Sequence, residues 1–490
     1  MTCLFVIRKF LKLSTATYVL LASLTWLPMA VSAQSNQAPP GVQVVINGHQ
    51  FPEDSFALLV QEIGSYTPVL AINTDLPLNP ASTMKTLTTL AALDMLGPAY
   101  TWRTELYALG SINDGVLNGD LLLRGGGDPF LVEEHMRSML KTLQRRGVQH
   151  ISGNLLINDT LFDPAVSVED SLDAQSNRAY NVLPHAAITN FQVVTFYFYP
   201  AEDGRNVRIV ADPPLPGLRI DNRLRVQQGA CTGFQRGVSF SEDKSTQTVI
   251  FSGSFPSQCQ EYTMTRAVLD APTYTYELFR YLWQELGGRF DGSLQTNTLP
   301  SIEGRPAAEP IVSWQSPPLG DIVKSINKYS NNMMTRQLLL TLGLEHSGAP
   351  ASINTGIAAI HEYLDGIAVQ RTGLLIANGS GLSRDTRLTA RMLADSLQHA
   401  WQQPIMPEFL SSLPLAGLDG TMDDRLADEP AQGRIHVKTG SLSGVAGIAG
   451  YVHAHSGKRY VVVALVNHPG ADRGTGQELA DALLRWASEQ

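Results

Sequence analysis

Strand-like segments lie at both ends of this 490-residue chain, and helical segments lie between them. From apolar patterning, short strands are predicted at residues 42–46, 55–63, 435–438, 445–452 and 460–466. Helices are predicted at residues 83–96, 319–342, 353–367, 388–401 and 476–487. We therefore predict an α/β (α+β) fold in which residues 34–100 and 311–490 form one discontinuous domain, with antiparallel strands flanked by helices.

The stretch between those two pieces differs from them in composition. Residues 101–310 contain many short strands with turn signals, including a strand at residues 117–123. Residues 193–199 and 207–210 form a predicted hairpin through Asp203-Gly204. We therefore predict that residues 101–310 are a β-rich insertion.

The first 33 residues have the features of an export signal. Their only charges are Arg8, Lys9 and Lys12, and an apolar run at residues 18–27 precedes the small-residue site at 31–33. We predict a signal peptide over residues 1–33 and a periplasmic mature protein; an uncleaved membrane anchor is the alternative. No later segment approaches the about 18 consecutive apolar residues of a spanning helix.

Charge and cysteines narrow the class of protein. Without the three basic residues of the predicted signal, the 36 basic and 45 acidic residues leave a net charge of about −12, so nucleic acid is not an expected partner. Cys231 and Cys259 are an even pair in an exported protein, which predicts a disulfide worth about 3–4 kcal/mol on the chain-entropy account. Two buried thiols or a metal pair are the alternatives, although no histidine lies near either cysteine in sequence.

Three short motifs carry the functional prediction: Ser82-Thr83-Met84-Lys85, Ser330-Asn331-Asn332 and Lys438-Thr439-Gly440. Each is weak alone, because a serine can simply cap a helix, Ser-x-Asn can form a capping turn, and a strand lysine can be a solvated edge charge. The order and context of the three favour a joint interpretation. Only this Ser-x-x-Lys opens a long apolar helix, where a three-residue step places the Ser82 hydroxyl and the Lys85 amine on one face.

The motifs contain the groups that an active-serine amidase needs. We predict Ser82 as the nucleophile and Lys85 as its base, with the pKa of Lys85 lowered by burial and by the charge of Lys438. Ser330 is the predicted proton relay to the leaving amine.

The remaining predicted roles concern binding. Asn332 is expected to donate to the substrate backbone and to orient Lys85, while Lys438 and Thr439 hold a terminal carboxylate. The backbone amides of Ser82 and Ser441 are the predicted oxyanion site.

Other chemistries fit less well. Gly125-Gly126-Gly127-Asp128 is not followed by Gly-Lys-Ser/Thr, so we interpret it as a turn, and no zinc-ligand spacing occurs. His185 and His436 are predicted to be structural. No Gly-x-Ser-x-Gly elbow is present, and residues 378–381 are interpreted as a glycine-rich loop near the site. No metal or cofactor is expected.

These residues bring a family resemblance over essentially the whole mature length. The chain resembles the D-alanyl-D-alanine carboxypeptidase/endopeptidases of the class C low-molecular-mass penicillin-binding proteins, the peptidase S13 type. The matching segments are Pro80-Ala81-Ser82-Thr83-Met84-Lys85, Ser330-Asn331-Asn332, Asn378-Gly379-Ser380-Gly381-Leu382-Ser383-Arg384, Leu413-Pro414-Leu415-Ala416-Gly417 and Lys438-Thr439-Gly440-Ser441-Leu442.

The resemblance implies a serine β-lactamase/transpeptidase-like domain split by an insertion of two subdomains. It also implies release of the terminal D-Ala from peptidoglycan peptides, with D,D-endopeptidase action on cross-links, through an acyl-enzyme on Ser82 that penicillin would also form. Thr439, Gly440, Ser441 and Arg384 would contact substrate.

Contacts of the insertion with the diaminopimelate side chain would fall near Asp159 and Phe162. The sequence departs from the family pattern at Asn378, where the family usually has aspartate, and at Ser443, where some members have glutamine. Both departures bear on the preference for the substrate side chain.

Two alternative functions stay open at this point. One is a β-lactamase or esterase of the same fold, against which the long insertion and the lack of a recognisable second base argue. The other is a non-catalytic muropeptide-binding protein. Expected partners are peptidoglycan stem peptides, their cross-links and β-lactam inhibitors; peripheral membrane association and a homodimer are both compatible with the sequence.

Overall fold

The computed structural model describes residues 36–167, 172–173, 175–296 and 309–490; the predicted signal peptide lies outside them. Within the described residues the helices are α1 (Pro40–His49), α2 (Met84–Leu96), α3 (Glu133–Arg145), α4 (Ala271–Glu285), α5 (Leu319–Lys328), α6 (Asn332–Ser347), α7 (Ile353–Gly366), α8 (Ala390–Trp401), α9 (Met406–Ser412) and α10 (Thr475–Ser488). The strands are β1 (Phe56–Glu62), β2 (Leu70–Ile72), β3 (Arg103–Asn113), β4 (Val116–Arg124), β5 (His150–Ile151), β6 (Leu155–Asn158), β7 (Val194–Pro200), β8 (Val207–Asp212), β9 (Arg219–Gln227), β10 (Val238–Asp243), β11 (Thr248–Pro256), β12 (Tyr262–Arg266), β13 (Arg289–Phe290), β14 (Leu294–Gln295), β15 (Val312–Gln315), β16 (Ile435–Leu442), β17 (Val445–His453) and β18 (Arg459–Asn467).

A five-stranded antiparallel sheet of order β16-β17-β18-β1-β2 joins the two ends of the chain. Leu59 of β1 lies opposite Val463 of β18, so an early strand is the direct neighbour of the last one. The predicted antiparallel sheet flanked by helices is therefore confirmed.

Both faces of this sheet are covered. In β1, Ala57 and Leu59 pack into the core formed with helices such as α2, α5, α6 and α8, while Leu58 and Val60 pack toward α1 and α10. All four side chains are fully buried. Successive residues of a strand point to opposite faces, so a continuous apolar run is what a sheet between two helical layers requires.

The predicted strand at residues 42–46 was wrong, because these residues lie in helix α1. Val42 and Ile46, four residues apart, face the same core, and Pro40 occupies the first turn, where its missing N–H costs nothing. A short run of β-branched residues suggested a strand, and packing against α10 decided for a helix.

The β-rich stretch contains two three-stranded sheets, β10-β11-β9 and β12-β7-β8, and a larger sheet in which β15 also pairs with β3. The predicted hairpin is confirmed, since β7 and β8 pair with Phe198 opposite Ile209. The predicted disulfide between Cys231 and Cys259 is also present.

The predicted helical segment at residues 319–342 is interrupted at residues 329–331, between α5 and α6. Ser330 has a positive φ of 54°, and the Asn331 side chain accepts a hydrogen bond from the Met334 backbone amide at 3.0 Å. This is an N-cap, which pairs an amide that the first helical turn leaves unsatisfied. The break places Ser330 in a half-buried turn and Asn332 at the start of α6. No helix in the described part of the chain has the length and apolarity needed to cross a membrane.

Candidate active site

Ser82 and Lys85 meet across a single helical turn. Ser82 lies in the short 3₁₀ turn Ala81–Thr83 that leads into α2, and Lys85 Nζ is 2.9 Å from Ser82 Oγ. The three-residue spacing thus brings the amine to the hydroxyl, as the sequence predicts.

Lys85 is fully buried, and its amine has two further acceptors. Nζ is 2.6 Å from Asn332 Oδ1 and 2.6 Å from the Ser380 carbonyl oxygen. Burial lowers the pKa of Lys85 well below its usual value, and the charges of Lys438 and Arg336 lower it further. A neutral amine has two hydrogens for these two oxygens and one lone pair for the Ser82 proton. The geometry is therefore that of a base directed at Ser82.

Lys438 in β16 links the Lys438-Thr439-Gly440 motif to the Ser330-Asn331-Asn332 motif by a hydrogen bond. Its Nζ is 3.0 Å from Ser330 Oγ and 2.8 Å from the Thr439 carbonyl oxygen. The side chain is fully buried, and burial lowers its pKa to about 7. Lys438 can therefore exchange its charge near neutral pH.

Asn332 links Lys85 to the β-rich stretch. While its Oδ1 accepts from Lys85, its Nδ2 donates to the Tyr180 carbonyl oxygen at 3.1 Å. The Tyr180 side chain is 42% exposed, and its hydroxyl donates to Asp173. Sequence reasoning missed Tyr180, because no local pattern ties it to an asparagine 152 residues away.

Gly440 brings β16 directly beside the Ser82 turn. A Cβ at Gly440 would lie 2.6 Å from the Pro80 carbonyl oxygen and 3.0 Å from the Ser82 amide nitrogen. Only glycine allows this approach, and Ser441 follows it on the same strand. The strand that carries Ser441 thus lies next to the Ser82 amide, as the predicted oxyanion site requires.

The outer edge of β16 is covered over only part of its length. Pro414 accepts from the Val437 amide, and Leu415 bridges to His436. In the described chain, no strand pairs with the outer edge from Lys438 to Leu442. An extended peptide could add to such an edge.

The glycine-rich loop supports Lys85 from the other side. Asn378 is buried and holds the loop together: its Oδ1 accepts from the Ser380 amide and hydroxyl, and its Nδ2 donates to the Leu382 carbonyl oxygen at 2.9 Å. This fixes Ser380, whose carbonyl oxygen binds Lys85. Arg384 is exposed and donates to the Ser443 carbonyl oxygen at 2.6 Å, so it lies at the far end of the β16 edge.

Asp159 and Phe162 lie apart from this hydrogen-bonded group. Asp159 pairs with His185 Nε2 at 2.9 Å, and the hydrogen bond lowers the pKa of the carboxyl group. Phe162 is only 3% exposed and packs closely against Gly127. With His185 they line a cavity of about 250 Å³. Among the described residues, neither Asp159 nor Phe162 hydrogen-bonds to a residue of the three motifs.

A sequence model of the D-Ala-D-Ala carboxypeptidase 3 (S13) family matches residues 41–490. The chain belongs to this family. It is accordingly a hydrolase of the D-alanyl-D-alanine carboxypeptidase type. A D-alanyl-D-alanine carboxypeptidase of Actinomadura sp. (strain R39) is 28% identical over 427 residues, which cover 84% of this chain and 78% of that protein.

Solved structures share the fold of this S13 family member. Penicillin binding protein 4 of Haemophilus influenzae has a TM-score of 0.76 at 22% identity, covering 92% of this chain and 99% of that one. Its complex with a β-lactam has a TM-score of 0.72 at 22% identity, with 92% and 100% covered. A predatory endopeptidase of Bdellovibrio bacteriovorus, in complex with an immunity protein, has a TM-score of 0.50 at 15% identity, with 88% and 92% covered. The transpeptidase-like fold predicted from the sequence is therefore confirmed.

Proposed function

We propose that this carboxypeptidase acts on peptidoglycan peptides through an acyl-enzyme on Ser82. The observation that carries the proposal is the Lys85 amine, which is buried, has its pKa lowered and lies 2.9 Å from the Ser82 hydroxyl. Its other two contacts use both hydrogens of the neutral amine, so the remaining lone pair is available to Ser82.

In the first step, Ser82 Oγ attacks the carbonyl carbon of the penultimate D-Ala while Lys85 takes the hydroxyl proton. The amides of Ser82 and Ser441 hold the oxyanion. Ser330 gives a proton to the leaving amine as the C–N bond breaks, and Lys438 at 3.0 Å restores that proton to Ser330. After D-Ala leaves, the proton that Lys85 took from Ser82 passes through water to Lys438, so Lys85 is neutral and Lys438 is charged again before the second step.

In the second step, water attacks the ester carbonyl and gives one proton to Lys85, which passes it to the Ser82 oxygen as the C–O bond breaks. Lys85 is the base for this water, because it lies beside the ester oxygen. Asn332 holds the acyl side of the substrate by its amide, and Thr439, Gly440 and Ser441 present the strand edge along which the peptide extends.

The carboxylate that follows the scissile bond binds Lys438 and Thr439. A cross-link that ends on a D-centre carries an equivalent carboxylate, so D,D-endopeptidase action uses the same contacts. The shared fold with an endopeptidase of Bdellovibrio bacteriovorus supports this extension. Arg384, Asp159 and Phe162 are the proposed contacts for the stem-peptide side chain.

β-Lactams are the proposed inhibitors, because their amide carbonyl and carboxylate present the same two groups, and a relative of the same fold forms a complex with a β-lactam. We also propose a periplasmic location after removal of residues 1–33. Residues 34–100 with 311–490 form the proposed catalytic domain, and residues 101–310 form the two-part insertion. Peripheral membrane association and a homodimer remain predictions.

Intact-mass spectrometry of the mature protein with a penicillin tests the nucleophile. We expect one adduct per chain in the wild type and none in Ser82→Ala, with D-Ala released from a pentapeptide by the wild type alone. Ser138→Ala is the matched control, because Ser138 belongs to another Ser-x-x-Lys match in α3 and is expected to leave the adduct unchanged. An adduct that persists in Ser82→Ala would overturn the assignment.

A further inference from the structure

The hydroxyl of Thr421 lies 2.6 Å from the hydroxyl of Thr439. Thr421 lies two residues after Asp419 in a loop that none of the three motifs includes, and both threonines are half-buried. Among the described residues, Thr421 is the one side chain that hydrogen-bonds the Thr439 hydroxyl. This contact therefore affects which way the Thr439 hydroxyl hydrogen points, and so whether Thr439 can donate to a ligand.

The direction of that hydrogen bond matters for a carboxylate. A hydroxyl has one hydrogen and two lone pairs, and an ionised carboxylate only accepts. Thr439 can hold a carboxylate only when its own hydrogen points away from Thr421. It can then accept from Thr421, so that the two hydroxyls form a chain that ends on the carboxylate.

Thr421 is held in place by the residues around it. Lys328 Nζ is 2.6 and 2.7 Å from the two carboxylate oxygens of Asp419, and one of these oxygens also accepts from the Leu415 amide. On its other side, Met422 is fully buried and accepts from the Gly417 amide at 2.8 Å. Thr421 therefore lies between two anchored neighbours.

The same loop touches the turn that carries Ser330. Gly420 has a positive φ of 61°, and a Cβ there would lie 2.7 Å from the Lys328 carbonyl oxygen. The loop thus packs on the chain two residues before Ser330 while its Thr421 reaches β16. The loop therefore contacts both the Ser330 turn and Thr439, on the side of the site where the proposed leaving group departs.

We propose that Thr421 is a positioning residue that sets the specificity of this site for a substrate ending in a free carboxylate. It acts by donating to Thr439, which leaves the Thr439 hydrogen for the carboxylate. The inference rests on the proposed function, in which Thr439 contacts that carboxylate.

The test compares Thr421→Val, which keeps the shape and removes the hydroxyl, with Thr421→Ser, which keeps the hydroxyl. Each is assayed on a peptide ending in D-Ala-D-Ala and on the same peptide with a C-terminal carboxamide. For Thr421→Val we expect KM for the carboxylate peptide to rise about three- to tenfold, with kcat within about twofold, and the preference over the carboxamide to fall by the same factor. Thr421→Ser is expected to match the wild type.

The possible outcomes separate this inference from the proposed function. A wild type that cleaves neither peptide would sink the proposed function itself, with Ser82→Ala as the baseline. The specificity role is refuted if the wild type cleaves the peptides and Thr421→Val loses the same activity on both of them. It is also refuted if Thr421→Val keeps full activity on both peptides. Stoichiometric labelling by saturating penicillin shows that the variant is folded and that the comparison is valid.

Discussion

Lys438 Nζ donates to Ser330 Oγ at 3.0 Å, although the two residues are 108 positions apart. This contact brings a lysine whose burial lowers its pKa to about 7 into the proposed proton route to the leaving group. The charge of Lys438 therefore depends on pH in the range where the enzyme is expected to work, and the charge of Lys85 also depends on pH.

The activity should fall at both acid and alkaline pH, for two different reasons. Lys85 must be neutral to accept the Ser82 proton, so the acylation rate should fall as acid protonates it. In the proposed function, charged Lys438 binds the substrate carboxylate, so KM should rise as pH increases through about 7. We expect this rise to approach about tenfold per pH unit.

Steady-state kinetics between about pH 6 and pH 9 checks the alkaline limb. A peptide with a C-terminal carboxamide is the control, because it offers no negative charge to Lys438 and its KM should stay flat. A KM for the carboxylate peptide that does not change over this range would contradict the assignment of Lys438.

Gly440→Ala should separate β16 from the Ser82 turn. The added Cβ would lie 2.6 Å from the Pro80 carbonyl oxygen, against backbone that cannot turn away. We expect acylation to slow about 100-fold and unfolding to become easier by about 1–3 kcal/mol. Gly366→Ala is the matched control, because nothing lies within 4 Å of its Cβ position, and it should keep full acylation. Penicillin labelling rates and thermal melting measure both effects, and equal behaviour of the two variants would refute the close approach.

Phe162→Ala and Tyr180→Ala should differ in kind. Phe162 is 3% exposed, so its loss leaves a cavity and should cost about 3–5 kcal/mol of stability. Tyr180 is 42% exposed and meets Asn332 through its backbone carbonyl oxygen, which alanine keeps, so its loss should change both stability and KM little. Thermal melting and KM are the two measurements. The folded Phe162→Ala variant should also show a higher KM for the stem peptide, and an unchanged KM would contradict Phe162 as a substrate contact.

Replacing both Cys231 and Cys259 by serine should destabilise the protein by about 3–4 kcal/mol, because the bridge closes a segment with a sequence separation of 28. Neither cysteine touches the Ser82 group in the described structure, so penicillin labelling of the folded variant should be unchanged. Denaturant unfolding with and without reductant measures the effect. A loss of labelling in the folded double variant would show coupling between the disulfide and the site.

The sequence was informative wherever function depends on neighbours along the chain. Ser82 and Lys85 are three residues apart, and a single helical turn suffices to bring them together. The burial of β1 on both faces and the pairing of β7 with β8 follow from apolar patterning and turn residues. The strand predicted in place of α1 failed, because its β-branched residues fit either element and only packing against α10 selects one.

What the sequence by itself determined is therefore the three motifs that carry the proposed chemistry, the sheet that joins the chain ends and the family. Tertiary structure alone decided which groups meet across long separations, such as Lys85 with Asn332 over 247 residues and Thr421 with Thr439 at the strand edge. It also decided the direction of the pKa shifts, since burial lowers the pKa of both Lys85 and Lys438, and neighbouring charges lower that of Lys85 further. The physical reason is that burial and long-range contacts depend on how distant segments pack, and no local pattern of residues encodes that packing.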